Sequence, residues 1–192
     1  MFSDPWLDRW LPLITERSSS CPVLEIGCGY GDDTSTLVQA GFDVVGFDLS
    51  AACVAATKLR VPRAQVMQRD ARAQLPVADG KVGAVIASLS LHYFPWQETL
   101  TIVDGIRNAL REKGVLLCRL NSTKDRNFGA GHGVELESNY FEFEGQTKRF
   151  FDRDAVAGLF GPEWRVISMQ HMTTVKYFRQ KSLWEVIAQK IA

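Results

Sequence analysis

The nine residues "EIGCGYGDD" at 25–33 constrain this chain more than any others. The apolar run "VLEIGC" (23–28) reads as a buried strand, and "DDTSTLVQAG" after the glycines reads as a helix closed by Gly41. A strand that turns into a helix through alternate glycines lets backbone approach a ligand closely, because glycine has no Cβ and adopts positive φ without penalty. Spacing narrows the ligand. A dinucleotide turn uses glycines at its first, third and sixth positions, the last for close helix packing. Counted from Gly27, the sixth position here is Asp32, and the third glycine, Gly31, comes one residue early. A P-loop needs Gly-Lys-Ser/Thr, and no lysine is near. Helix N-termini attract anions, yet Asp32 and Asp33 stand there and repel phosphate. The turn therefore suits a cationic or zwitterionic group.

The pattern beyond the turn is strand, helix, strand, repeated. "FDVVGFDLS" is a second strand, and Ser50 caps the helix "AACVAATKLR". "AQVMQRDA" and "VGAVIASLS" are a third and fourth strand; "WQETLTIVDGIRNALREKG" is a long helix expected to end at Gly114, and "VLLCRLNS" is a fifth strand. Strands apolar on both faces and alternating with helices make a parallel sheet covered on both sides. "WRVISMQHMTT" and "SLWEVIAQKI" follow the helix "RDAVAGLF" as neighbouring strands, which predicts an antiparallel C-terminal hairpin at the sheet edge. The expected fold is α/β: a Rossmann-like, doubly wound, mostly parallel seven-stranded sheet with that hairpin as its edge and helices on both faces. Residues 1–192 read as a single domain, with an amphipathic helix over 4–16 (Trp6, Leu7, Trp10, Leu11, Ile14) in an N-terminal segment, 1–20, that covers the ligand site.

Two carboxylates sit where such a fold binds nucleosides. Asp48 ends the second strand, the position from which an acid accepts hydrogen bonds from ribose hydroxyls. Asp70, in "RDA", ends the third and is placed to accept from an exocyclic amine. With these residues the chain resembles the class I S-adenosylmethionine-dependent methyltransferases over residues 23 to about 120. "VLEIGCGYG" is similar to the family's first motif, "VVGFDLS" to its second, "QRDA" to its third and "VIASLSLHYF" to its fourth segment, in the same order. The resemblance implies S-adenosyl-L-methionine as cofactor and S-adenosyl-L-homocysteine as product. Glu25, Gly27, Cys28, Gly29, Tyr30 and Gly31 would line the methionine part. Asp48 would hold the ribose, Leu49 would pack beside the adenine, Asp70 and Ala71 would meet the adenine edge, and Ser88 and Leu89 would approach from the fourth strand. A weaker resemblance, through "SLSLHYF", "NSTKD" and "KRFF", is to small tellurite-resistance-type methyltransferases.

The implied chemistry is in-line methyl transfer to a small-molecule acceptor. His92, just past the fourth strand, is the candidate general base. Residues 121–151 show little periodicity but are rich in aromatics, which argues against disorder, and structureless stretches of that length inside a domain usually serve function. They read as a substrate lid. Tyr93, Arg119, Asn121, Asn139, Tyr140 and Arg149 are the candidate acceptor contacts.

Composition removes other classes. Lys+Arg and Asp+Glu are 22 each, so no overall charge draws the chain to nucleic acid or anionic membrane. Cysteines 21, 28, 53 and 118 form no C-x-x-C pair, so no zinc or thiol-redox motif is encoded and no metal is expected. The start lacks the basic and apolar regions of a signal peptide, and no run approaches the ~18 apolar residues of a membrane helix. A cytoplasmic protein, monomer or homodimer, is expected. The competing readings are a non-catalytic module that binds S-adenosylmethionine or a partner, a nicotinamide dehydrogenase, and an aminopropyl transferase.

Overall fold

The computed structural model describes residues 5–175 and 179–191. A seven-stranded sheet forms its centre. In chain order its strands are β1 (Val23–Ile26), β2 (Val44–Asp48), β3 (Gln65–Gln68), β4 (Val82–Ser88), β5 (Leu110–Asn121) and, beyond a small second sheet, two long strands at 164–174 and 181–190. The second sheet comprises β6 (Val134–Glu137), β7 (Tyr140–Phe143) and β8 (Gln146–Arg149), so the two long strands are β9 (Trp164–Thr174) and β10 (Lys181–Lys190). The order across the main sheet is β3-β2-β1-β4-β5-β10-β9. β1 to β5 pair in parallel, whereas β10 runs antiparallel to both β5 and β9. The expected parallel sheet with an antiparallel C-terminal hairpin at its edge is therefore present.

Helices α1 (Leu11–Ser18), α2 (Asp32–Gln39), α3 (Ala51–Arg60), α4 (Trp96–Ala109) and α5 (Arg153–Gly158) surround the sheet. Two apolar cores result, one on each face. Ile14 of α1, Leu37 of α2 and Val54 of α3 pack with Ala84, Ile86 and Leu117 on one face; Ile102 and Ile106 of α4 and Val156 of α5 pack with Val85, Leu116 and Val186 on the other. Consecutive residues of β4 and β5 thus enter different cores. This is why these strands are apolar throughout instead of alternating.

Local chemistry explains the element ends. Ser50 accepts a hydrogen bond from Cys53 N at the start of α3, and Asp152 accepts from Ala155 N at the start of α5. α1 crosses β4 so closely that a Cβ on Gly83 would lie 1.9 Å from the Arg17 carbonyl oxygen. Only glycine fits at that crossing.

Three expectations need correction. Residue 4 of the expected first helix lies outside the described residues; among those described the helix begins at Leu11, after a 3-10 turn at Asp8–Trp10, and Pro12, which has no N–H to give, sits in its opening turn. The α4 helix ends at Ala109 and not at Gly114. Leu110 is fully buried and pairs with Val82, so sheet pairing prevails over the helical pattern of "LREKG". Residues 121–151 are also not irregular. They hold a 3-10 turn (Arg126–Phe128) and the antiparallel sheet β6-β7-β8, whose short strands alternate too briefly to be read as strands.

Candidate functional site

The strand order reverses direction between β1 and β4: the chain passes outward from β1 to β2 and β3, then returns to the other side of β1. Such a switch point leaves a crevice beyond the carboxyl ends of the strands, where open α/β sheets bind ligands. The 27–31 turn lies there. Gly27, Gly29 and Gly31 all have positive φ, at 74°, 52° and 81°. A Cβ on Gly27 would sit 2.6 Å from the Ser90 Cβ, and one on Gly31 would sit 2.9 Å from Thr57 Cγ2, so both glycines are required by packing. Gly29 differs: nothing lies within 4 Å of its Cβ position, which faces open space.

Asp48 ties the turn to the second strand. Its Oδ2 accepts from Gly29 N and its Oδ1 from Ser50 N, both at 2.9 Å. Thr57 Oγ1 donates to the Gly29 carbonyl at 2.7 Å. The turn is thus fixed from two sides. Tyr30 and Leu49 flank it with side chains 67% and 65% exposed, apolar surface beside a polar crevice.

Beneath the turn lies Glu25, only 3% exposed, whose Oε2 accepts from Thr34 Oγ1 at 2.6 Å. Burial, reinforced by the negative charge of Asp33, pushes its pKa up to about 8. Burial also pushes the neighbouring Cys28 thiol up to about 12, which makes it an inert packing group and not a nucleophile.

Asp70 lies at the end of β3, where the Arg72 guanidinium and backbone N–H both donate to it; the guanidinium holds its carboxyl below the usual range. Ala71, half-buried, packs against the core on the α4 face. Ser88 Oγ accepts from Arg119 Nε at 2.9 Å, and Leu89, at φ 55°, donates its N–H to the Arg119 carbonyl.

Arg119 and Asn121 share one face of β5 with the buried Glu185 of β10, which pairs with Arg119 in register. The N-terminal segment closes over this group. Trp6 lies above the Arg119 guanidinium at 4.5 Å and donates from Nε1 to Asp33 Oδ1; Arg9 and Trp10 both donate to Glu185 Oε1. The sequence signalled Trp6 and Trp10 only as an apolar stripe. Their indole N–H groups, together with Asp33 and Glu185, form a polar latch that no local pattern reveals.

His92 is buried in the 3-10 turn Leu91–Tyr93, with its ring 4.2 Å from that of Tyr93 and its Nδ1 without a hydrogen-bond partner. Burial and the ammonium groups of Lys181 and Lys148 hold its pKa well below the usual range, so the imidazole is neutral at pH 7. The small sheet docks on this turn: Tyr140 Oη donates to the Tyr93 carbonyl at 3.1 Å. Arg149 is bound within and beneath the small sheet. It donates to the carbonyls of Phe94 and Ser138 and to Glu137, and lies over the rings of Trp96 and Tyr140. Asn139 takes φ 57° in the β6–β7 turn, and its carbonyl accepts from Phe150 N. Tyr140 and Arg149 thus hold the small sheet to the segment 93–94. Nothing in the sequence signals the buried pair of Asp125 and Lys181 at 2.9 Å, which anchors the turn after β5 to β10.

A family profile described as a methyltransferase domain matches residues 23–114, the stretch from β1 into β5. Over this stretch the chain is similar to the S-adenosylmethionine-dependent methyltransferases. An uncharacterized methyltransferase of Synechocystis sp. is 33% identical over 93 residues, covering 48% of this chain and 43% of that one. A methyltransferase structure from Methanosarcina mazei superposes with a TM-score of 0.80 at 15% identity, over 94% of this chain and 97% of that one. The 1,6-didemethyltoxoflavin-N1-methyltransferase of Burkholderia thailandensis, solved with its substrate and S-adenosylhomocysteine, superposes at 0.73 with 16% identity, over 98% and 82% of the two chains. At such identities these structures speak for the fold alone. The chain spans about half the length of the curated relatives it matches. No helix among the described residues is long and apolar enough to cross a membrane, and none of their His, Cys, Asp and Glu side chains cluster as metal ligands.

Proposed function

We propose that this methyltransferase binds S-adenosylmethionine across the 27–31 turn and transfers its methyl group in line to a small-molecule acceptor held under residues 121–151. The observation that carries this reading is the Asp48–Gly29 contact at the switch point. The carboxylate fixes the turn through one lone pair on each oxygen, and each oxygen keeps another for ribose hydroxyls. The crevice fits the cofactor in other respects. Gly29 leaves open space for a ligand atom, Asp33 and Asp48 favour a positive charge, and exposed Tyr30 and Leu49 offer apolar cover to an adenine. Glu25, Cys28, Gly27 and Gly31 shape the floor, while Asp70, Ala71, Ser88 and Leu89 complete the rim.

S-adenosylmethionine bound there would supply an activated methyl group for an acceptor lone pair, with the methyl–sulfur bonding pair left on sulfur. The protein's part is alignment and exclusion of water. The Trp6 latch and the small sheet on Tyr93 support that part, since both pack beside the carboxyl ends of β4 and β5. A neutral His92 is in the protonation state a base needs, although its burial restricts it to an acceptor proton delivered inside the lid. The Burkholderia structure holds 1,6-didemethyltoxoflavin with S-adenosylhomocysteine, in keeping with a small-molecule acceptor here.

Calorimetric titration with S-adenosylmethionine, S-adenosylhomocysteine and NAD tests the reading. Both adenosyl ligands are expected to bind in the micromolar range and NAD not to bind. Asp48→Ala is expected to weaken both by about 1–3 kcal/mol, as unpaired hydroxyls and a loosened turn require. Binding of NAD in place of the adenosyl ligands would overturn it.

A further inference from the structure

The small sheet encloses more than a cover for the crevice. Between the 126–133 loop and strands β7 and β8 lies a cavity of about 190 Å³. Four rings, Phe128, Phe141, Phe143 and Phe150, form its walls, and the half-buried Lys148 lines it. The Phe141 and Phe150 rings stand at 57° to each other with centroids 6.2 Å apart, a tilted pair that offers both a face and an edge to a third ring.

The charges around the cavity are unevenly matched. Lys181 is held by Asp125 at 2.9 Å, and Arg149 is held by Glu137. Lys148 forms no hydrogen bond or ion pair among the described residues, and its positive charge helps to lower the pKa values of His92 and Lys181. Glu144 is the one acid on the cavity wall; it stands exposed at the β7–β8 turn, on the solvent side. His132 lies at the rim and is exposed as well. An apolar aromatic cavity with an unmatched ammonium inside it is stabilised by a ligand that brings a ring and a negative charge together. β8 carries the cavity and the Tyr93 contact on its two faces: Lys148 lines the cavity, and its chain neighbour Thr147 reaches the Tyr93 carbonyl just past the carboxyl end of β4.

We propose that this cavity is the acceptor subsite and that the acceptor is a planar aromatic anion, its ring between the phenylalanines and its anionic group on Lys148. This rests on the methyl-transfer reading. Ligand-observed NMR on the full chain tests it, with benzoate, benzamide and hexanoate as probes and S-adenosylhomocysteine titrated in parallel. Benzoate is expected to bind about tenfold more tightly than benzamide or hexanoate, the step of one charge-assisted hydrogen bond or one well-packed ring. Lys148→Met is expected to lower benzoate to the level of benzamide, and Lys148→Arg to restore it, with S-adenosylhomocysteine unaffected in both. Benzoate no tighter than benzamide, or unchanged by Lys148→Met, overturns the proposal. Absence of S-adenosylhomocysteine binding by the native protein removes the methyl-transfer reading and the acceptor role with it. That result is read from a ligand that does not use the cavity, so the two failures are distinguished.

Discussion

Replacing Glu25 by Gln is expected to stabilise the ligand-free protein at neutral and alkaline pH. Glu25 is buried under the glycine turn and its pKa is raised from the ordinary 4.5 to about 8. The folded state therefore keeps a proton that the unfolded chain releases above pH 4.5. Between those two values the unfolded state binds fewer protons, so stability is full below pH 4.5, falls as pH rises, and levels off above 8. At about 1.4 kcal/mol for each pH unit, the loss is at most about 5 kcal/mol, and water entry around the charged form reduces it to a few. Glutamine has the shape of the protonated acid and cannot ionise. The stability difference between Glu25→Gln and the native protein should thus grow from near zero at pH 5 to about 3 kcal/mol at pH 8, an estimate on the order of half the upper limit. Urea unfolding at four pH values reads it directly: with a slope of about 2 kcal/mol/M, 3 kcal/mol moves the midpoint by about 1.5 M. The depressed His92 titrates in the opposite direction, gaining stability as pH rises towards 6.5, but it is common to both proteins and cancels. A difference that stays flat from pH 5 to 8 would refute the reasoning, because Glu25 would then be ionised in the fold.

The two kinds of glycine in the turn should separate on substitution. Gly29→Ala, with only positive φ against it, is expected to cost about 1–2 kcal/mol of stability yet abolish S-adenosylhomocysteine binding, whereas Gly27→Ala should also unfold at clearly lower urea because its Cβ meets Ser90. Gly83→Ala drives a Cβ into the Arg17 carbonyl; displaced α1 should lower thermal stability by several degrees or prevent folding, as measured by circular dichroism. Lys181→Met leaves Asp125 buried without its partner and is expected to cost about 3–5 kcal/mol, with the additional Asp125→Leu substitution recovering most of it in the same unfolding assay.

The fold was legible in the sequence wherever burial alone decided it. Residues 82–87 are buried on both faces, and two-sided burial leaves an unbroken apolar run that any reading detects; Val23–Ile26 is buried likewise, interrupted only by Glu25. The turn was legible because positive φ and close approach select glycine at 27 and 31 whatever else the chain does. The end of α4 was not legible: "LREKG" suits a helix, and only pairing of Leu110 with Val82, which lies far back in sequence, overrides it. The surroundings of Arg149 were not legible for a similar reason. Arg149 next to aromatic residues suggests a ligand contact equally well as a framework cation, and the choice depends on Glu137 and the Phe94 carbonyl across a sheet that the pattern did not disclose. Asp125 and Lys181, 56 positions apart, carry no local signal of their partnership.

The position of β10 between β5 and β9 has a consequence for synthesis on the ribosome. β5 can pair with β4 as soon as both have emerged, but its other edge stays open until residues 181–190 arrive to fill it. The Arg9 and Trp10 bonds to Glu185 likewise wait across 176 and 175 positions. Until then a long apolar strand edge is available to any other chain, the condition under which edge strands template aggregation. A nascent chain stalled before residue 181 should therefore depend on chaperones far more than a released one, although β1 to β5 have already emerged.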